Sequence, residues 1–158
     1  MDKHALSSLV DTIAREIDAS LNINLKAAQA LSEQVRKKAK EMGVNAVVAV
    51  SNRAGHPILV ESMDDAYIAS YDIAVQKAFT VVSLKMSTSA LKPLAQPGGS
   101  LYGIQFTNNG KIVIFGGGEP LKNSSGQIIG GLGVSGGTEE QDTALAEYGK
   151  QLFEKGRN

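Results

Sequence analysis

Four stretches of the chain repeat apolar residues at the three-to-four-residue spacing of an amphipathic helix. They lie within residues 1–18, 21–43, 63–86 and 138–156. Asn22 or Asn24 can cap the second helix, and Thr138 can cap the fourth, with Gln141 near capping-box spacing. The predicted inner faces are Leu6, Leu9, Val10, Ile13 and Ile17; Leu25, Ala28, Leu31, Val35, Ala39 and Met42; Ile68, Tyr71, Val75, Phe79, Val82 and Met86; and Leu145, Tyr148 and Leu152.

Five short apolar runs predict strands between these helices. They are residues 44–50, residues 58–61, one run on each side of Asn108-Asn109-Gly110, and residues 127–134. Asn-Gly between apolar runs is a strong hairpin signal, because both turn residues need positive φ. Residues 87–100 are predicted to be a break and residues 119–126 a loop. The order favours one α+β domain over residues 21–158, with an antiparallel sheet flanked by helices and residues 1–20 as an accessory helix.

Composition excludes several functional classes. Lys and Arg total 16 and Asp and Glu total 16, so no net charge favours nucleic acid or an anionic membrane. Cysteine is absent, which excludes disulfides and thiolate ligands. The chain shows neither a secretory signal pattern nor an apolar run of membrane-spanning length, and we therefore expect a cytoplasmic location.

Glycine is concentrated in one part of the chain, with thirteen of the seventeen between residues 98 and 137. Gly131, Gly133 and Gly136 have the spacing of a dinucleotide-binding turn. Such a turn needs a second parallel strand about 20 residues later, and only one helix fits after Gly137. We expect the glycines to shape strand ends, a shallow pocket or a subunit contact, with Gly117, Gly118, Gly136 and Gly137 as pocket residues.

Several longer stretches resemble one known family. "MDDAYIASYDIAVQKAFT", "QPGGSLYGIQFTNNGKI", "IVIFGGGEPL" and "GQIIGGLGVSGGTEEQD" are similar, in that order, to the GlcG/HbpS family of haem-degrading-type domains, and most similar to its branch containing the C-terminal domain of the propanediol-utilisation protein PduO. The resemblance implies a profilin-like fold with five antiparallel strands. It also implies homo-oligomers, tetramers or octamers, and a haem-binding domain accessory to corrinoid or propanediol metabolism, in the cytoplasm or a bacterial microcompartment.

Haem iron usually takes His, Cys, Met or Tyr as its protein ligand. The chain has two histidines, His4 near its start and His56 in a predicted turn, and these are the candidate haem ligands. Each can also be an ordinary surface histidine. Other candidate ligands are Tyr67, Tyr71, Tyr102, Met63 and Met86, although the spacing of most of them favours core or interface packing. No metal other than haem iron is expected.

Two alternatives remain open. One is an enzyme acting on a small acid or cofactor fragment in the glycine-lined pocket, with Asp72, Lys77 and Glu119 as polar groups. A buried lysine with a lowered pKa can form a Schiff base, but a lysine paired with a carboxylate is more common. The sequence shows no nucleophile–base pair that specifies a reaction. The other alternative is a structural subunit of a catabolic complex.

Overall fold

The structure is a computed structural model that describes residues 2–156, without the side chains of residues 18–20. Along these residues, pairs of helices alternate with pairs of strands, and a fifth helix follows the fourth strand. The helices are α1 (Lys3–Leu21), α2 (Leu25–Glu41), α3 (Ile68–Leu84), α4 (Thr88–Leu94) and α5 (Glu139–Lys155), and the strands are β1 (Val47–Asn52), β2 (Pro57–Ser62), β3 (Gly118–Lys122) and β4 (Ile128–Ser135).

The four strands form one antiparallel sheet in the order β2-β1-β4-β3. Helices α2 and α5 cover one face, where Val48, Val50, Leu132 and Val134 enter the larger core cluster. Helix α3 covers the other face. The predicted α+β class with flanking helices is therefore confirmed, and the antiparallel pairing of β4 with both neighbours is incompatible with a dinucleotide-binding βαβ unit.

The sheet has four strands, so the prediction of five is wrong. The residues around Asn108-Asn109-Gly110 form two short 3-10 turns, Ile104–Phe106 and Asn108–Gly110, instead of a hairpin. All three turn residues have positive φ, at 51°, 57° and 72°. Asparagine and glycine are thus used for the left-handed conformation that they tolerate, but in a loop without strand partners.

Two segments are more regular than predicted. Strand β3 begins at Gly118 and takes up the first half of the segment predicted to be a loop. It is an edge strand, which is where a proline such as Pro120 is tolerated. The predicted break at residues 87–100 contains α4, whose start is capped by the Ser87 side chain accepting from Ala90 N at 3.1 Å.

The caps predicted for α2 and α5 are present. Asn24 caps α2, accepting from Ala27 N at 2.8 Å. Thr138 caps α5 by accepting from Gln141 N at 3.1 Å, and the Gln141 side chain accepts from Thr138 N at 2.9 Å. This reciprocal capping box fixes the start of α5 beside the last glycines.

Helix α3 lies directly against β4 because that strand presents glycine on the helix side. A Cβ on Gly133 would lie 2.0 Å from the Ala74 carbonyl oxygen, and one on Gly131 would lie 2.4 Å from that of Ala78. Any side chain at these positions would push the helix off the sheet. The glycine spacing therefore permits close helix–sheet packing.

The buried face of α3 differs from the predicted one. The face that enters the core consists mainly of small and polar residues, with two valines and one lysine: Ser70, Ala74, Lys77, Ala78, Thr80, Val81 and Val82, of which Val82 was predicted to face inward. Ile68 is 97% exposed and Tyr71 is 51% exposed, although both were predicted to face inward. Because Gly131 and Gly133 of β4 allow close approach, α3 packs its small-residue face against the sheet. The apolar start of the helix therefore stays on the surface.

Helix α1 carries its apolar stripe on the surface. Leu6, Leu9, Val10 and Ile13 are between 44% and 55% exposed. The helix contacts β4, but residues 2–17 are all exposed. Among the described residues, no helix combines the length and the apolar character needed to cross a membrane.

Candidate functional site

A fully buried lysine lies where α3 meets the ends of β3 and β4. The Lys77 side chain is 0% exposed. Its Nζ donates to the Val134 carbonyl oxygen at 2.8 Å and to Asp142 Oδ2 at 3.2 Å, and it lies 5.1 Å from the centre of the Phe115 ring. Burial lowers the pKa of Lys77, and the neighbouring Asp142 carboxylate opposes this shift.

Two glycine runs, the first at Gly116–Gly118 and the second at Gly130–Gly137, lie beside this ion pair. Gly117 has φ +113°, and a Cβ there would lie 2.5 Å from Lys77 Nζ. Asp142 Oδ1 accepts from Gly137 N at 2.8 Å, so one carboxylate holds both the lysine and the last glycine run. The Lys77–Asp142 pair therefore ties α3, the end of β4, Gly137 and the start of α5 together, and Gly117 leaves room for the lysine.

Glu139 fixes the other side of the same region. Its Oε1 accepts from Gly116 N at 3.0 Å, and its Oε2 forms an ion pair with Lys92 of α4 at 2.5 Å. These contacts stabilise the ionised carboxylate, so the Gly116 N–H first and Lys92 second lower the pKa of Glu139. The first turn of α5 therefore anchors α4 and the first glycine run as well.

We expect Glu139→Gln to destabilise the protein by about 1 kcal/mol at neutral pH, since a charge-assisted hydrogen bond and a partly exposed ion pair are weakened. Because the pKa of Glu139 is lowered in the folded state, its contribution is present above the ordinary pKa and is lost as pH falls through the folded value. Urea unfolding at pH 7 and at pH 3 would measure this. Glu140→Gln, an exposed change in the same turn, is the control. A difference from wild type that does not shrink in acid would contradict the assignment.

An open cavity of about 350 Å³ lies beside this cluster, between the start of α3 and the second glycine run. The Ser135 and Ser70 hydroxyls meet at its edge, 3.2 Å apart. Its lining residues are Tyr67, Ala69, Ser70, Ile73, Phe115, Ser135, Gly136, Gly137, Glu139 and Asp142. A second cavity of about 440 Å³ shares Tyr67, Gly136 and Gly137 with it, so these three residues separate two surface pockets.

The charged side chains beside the cavity are already paired, and the rest of its lining is mainly apolar or carries hydroxyl groups. Lys77 Nζ already donates to a carbonyl and a carboxylate and lies against an aromatic ring. The Asp142 and Glu139 carboxylates are both paired. Among the side chains that the structure describes, no group of three or more His, Asp or Glu residues is placed to hold a metal ion.

The structure brings some of the candidate site residues together and separates others. Lys77 lies beside Gly117, and Gly137 is bound by the partner of that lysine. Asp72 is exposed on α3. Glu119 lies on β3 with its carboxylate 3.2 Å from Lys150 of α5, and burial raises its pKa. Its partner Leu132 points into the α2–α5 core, so Glu119 belongs to the sheet face away from Lys77.

Neither histidine lies at the cavity. His56 is exposed in the turn between β1 and β2, where its carbonyl accepts from Asn52 N. Asn52 pairs with Gly130, whereas the other end of β1 pairs with Ser135, so His56 lies at the opposite end of the sheet from Gly136. His4 is exposed near the start of α1.

Three features of the site were not predicted from the sequence: Phe115, the Ser70–Ser135 pair and Lys92. A signal for the buried lysine was present, because Ala74, Lys77, Ala78 and Val81 share one helical face of small and apolar residues. For Asp142 the sequence offers only its position five residues after Gly137. Only the fold shows that its partner is Lys77.

A family model described as "Haem degrading protein HbpS-like" matches residues 23–151. The chain belongs to the HbpS-like family. A Citrobacter freundii relative, described as an uncharacterised 15.0 kDa protein in the dhaT-dhaS intergenic region, is 45% identical over 83% of the chain and 92% of its own length. The HbpS-like match starts after α1 has ended.

Two further relatives connect the HbpS-like chain with PduO. The corrinoid adenosyltransferase PduO of Citrobacter freundii is 35% identical over 82% of the chain, but the chain spans only 38% of that protein. The crystal structure of a PduOC:heme complex is 35% identical, with a TM-score of 0.78, over 82% of the chain and 94% of the solved one. The predicted resemblance to the GlcG/HbpS family and to PduO is thus confirmed.

Proposed function

We propose that this HbpS-like chain is a haem-binding domain that works beside corrinoid or propanediol metabolism, in the cytoplasm or a microcompartment. The observation that carries the proposal is the likeness to the PduOC chain of a haem complex, at 35% identity over most of both chains. The adenosyltransferase named in the PduO relative is not part of the proposal, because the chain spans about a third of that protein.

Most side chains of the chain that could bind haem iron are exposed, which fits haem held on the surface. His4 and His56 are exposed, and Tyr67, Tyr71 and Tyr102 are 73%, 51% and 65% exposed. Met63 and Met86 are half-buried. Ile68, which is almost fully exposed, lies between the first two tyrosines and provides apolar surface for a flat ring. When bound, haem would supply a redox-active iron, and the chain would hold it through one of these histidine, tyrosine or methionine side chains and an apolar support.

A haem held by surface residues of one subunit leaves its other face open to water. A second copy of the chain can cover that face, because symmetry brings equivalent surfaces together. We therefore propose a homo-oligomer, a tetramer or octamer as the family resemblance implies, with haem at a subunit contact. Residues 1–20 would be an accessory segment outside the haem-binding domain.

The exposed start of α3 offers a third ligand region besides the two histidines. On α1, helical spacing places His4 on the side of the helix opposite Leu9 and Ile13, so its own apolar stripe does not support a haem at His4. His56 has Arg53 in the same exposed turn, whose cation can pair with a haem carboxylate. Tyr71 lies one helical turn after Ile68 and close to the cavity lined by Tyr67.

Titration of the purified protein with haemin tests the proposal. We expect a saturable Soret shift that one of His4→Ala, His56→Ala or Tyr71→Phe weakens by about tenfold or more in affinity, since each replacement removes one candidate axial ligand. Tyr148→Phe, a change in the half-buried tyrosine of α5, is the matched control and should leave the shift unchanged. A weak, non-saturating shift that no substitution alters would overturn haem binding.

A further inference from the structure

The cavity beside the Lys77–Asp142 pair has two buried hydroxyl groups in its lining. Ser70 of α3 and Ser135 at the end of β4 are 3% and 5% exposed, and both line the cavity of about 350 Å³. The Ser135 hydroxyl donates to that of Ser70, with the two oxygens 3.2 Å apart. None of the candidate haem ligands is a serine, so haem binding leaves these two hydroxyls without a role.

The hydrogen bonding of the two serines is incomplete. A serine hydroxyl can donate one hydrogen bond and accept two. The bond from Ser135 to Ser70 therefore leaves one hydroxyl proton and several lone pairs, and neither hydroxyl has another hydrogen-bond partner among the residues that the structure describes. Because a buried polar group without its partner costs free energy, proteins supply one from the chain, from water or from a ligand. A molecule in the cavity can supply it here.

The charges around the cavity disfavour an ionic ligand. Among the described residues, its lining contains two carboxylates, Glu139 and Asp142, and no lysine, arginine or histidine. An anion would therefore face two negative groups without a cation opposite it. A cation would gain little, because Asp142 already pairs with Lys77 and Glu139 with Lys92. An ammonium group placed beside Asp142 would also be repelled by the buried Lys77.

An uncharged hydroxyl group fits what remains. It can accept from the Ser70 hydroxyl and donate to Asp142, whose two oxygens each accept one bond, from Gly137 N and from Lys77 Nζ, although a carboxylate oxygen can accept two. The rest of the lining gives apolar or aromatic surface for a carbon skeleton: Tyr67, Ala69, Ile73 and Phe115. Apolar walls with a few convergent polar groups are typical of small-molecule sites.

We propose that this cavity binds a small uncharged organic compound with a hydroxyl group, which contacts Ser70 and Ser135 while the carbon skeleton lies against Ile73 and Phe115. The volume is at the lower end of the range for ligand cavities, about 300–1,000 Å³, so the compound is small. The site is separate from the haem proposal and is tested on haem-free protein, so that either proposal can fail without the other.

Amide chemical shifts of isotope-labelled, haem-free protein test the proposal. The probes are benzyl alcohol, benzoate and benzylamine, which share one ring and are neutral, anionic and cationic at pH 7. We expect benzyl alcohol to shift the Gly136 and Gly137 signals saturably, with a dissociation constant of about 1 mM, ordinary for a ligand of this size. The two ions should bind about tenfold more weakly, because neither finds an unpaired opposite charge.

Three variants locate the probe. Ser70→Ala should weaken benzyl alcohol binding by about fivefold, since one neutral hydrogen bond is lost. Ser32→Ala is the matched control, because Ser32 is also buried but its hydroxyl donates to Glu61, and it should leave the constant unchanged. Ala69→Trp, at an exposed position of α3 that lines the cavity, places a large ring in the opening and should abolish binding.

Four results would contradict the proposal. Benzoate or benzylamine binding as tightly as benzyl alcohol would mean that the hydroxyl group does not select the ligand. An unchanged constant in Ser70→Ala would remove the serines from the site. Shifts confined to Ala30 and Gly156 would place the probe in the apolar groove between α2 and α5. The absence of a saturable shift with every probe would mean that the cavity holds only water.

Discussion

Replacing Lys77 by methionine is expected to destabilise the fold by about 3–5 kcal/mol, because it leaves the Asp142 carboxylate buried without its cation. Lys77 is fully buried, and Asp142 is 4% exposed. Methionine fills much of the same volume, so the loss comes from the charge more than from a cavity. Urea unfolding monitored by circular dichroism measures the change. Lys40→Met, at an exposed position of α2, is the control and should change stability by less than about 0.5 kcal/mol.

A double substitution separates the charge from the shape. Lys77→Met combined with Asp142→Asn removes both charges and keeps an amide oxygen that can still accept from Gly137 N. We expect the double variant to recover at least half of the stability lost in Lys77→Met, because no unpaired charge remains buried. A double variant less stable than Lys77→Met alone would show that the ion pair does not explain the loss.

Gly133→Ala is expected to cost about 3 kcal/mol or more, at the upper end of the range for overpacked cores. The new Cβ would lie 2.0 Å from the Ala74 carbonyl oxygen and 2.8 Å from Ala78 N, which are backbone atoms of α3 and cannot move aside as a side chain can. The helix must rise from the sheet, and the contacts of Lys77 with Val134 and Asp142 should weaken with it.

The matched control is Gly156→Ala at the end of α5. The nearest atom to a Cβ there, the Leu152 carbonyl oxygen, is 3.5 Å away, and the backbone φ is −71°. We expect this variant to change the melting temperature by less than about 3 °C, in keeping with a surface substitution. If the melting temperature of Gly133→Ala also changes by less than about 3 °C, Gly131 and Gly133 do not set the distance between α3 and β4.

The helices were the most predictable part of the fold. The caps at Asn24 and Thr138 use local side-chain chemistry that a few neighbouring residues specify. The strands were less predictable. Strand β3, with the sequence Gly-Glu-Pro-Leu-Lys, has few strand-favouring residues and exists because β4 provides a partner along its length. The apolar run before Asn108 lacks such a partner and does not form a strand, although its residues favour one.

Some residues of the candidate site could be predicted from the sequence, but the contacts between them could not. The glycine runs and Lys77 were predicted from the sequence to be site residues. A lysine on the small-residue face of a helix also indicates that the lysine is buried. Which carboxylate it meets depends on the position of α5, 65 residues later in the chain. The outward orientation of Ile68 and Tyr71 was also hidden, because an apolar residue facing a ligand or a second subunit has the same spacing pattern as one facing the core.

Haem held between copies of this HbpS-like chain is tested most directly by sedimentation velocity of the haemin-loaded protein, recorded at 280 nm and at the Soret maximum together. The predicted result is a single Soret-absorbing boundary that coincides with an oligomer, and haem-free protein that sediments at an equal or smaller size. A Soret boundary at the sedimentation coefficient of a 16.6 kDa monomer would contradict binding at a subunit contact. A protein boundary without Soret absorbance would contradict haem binding itself.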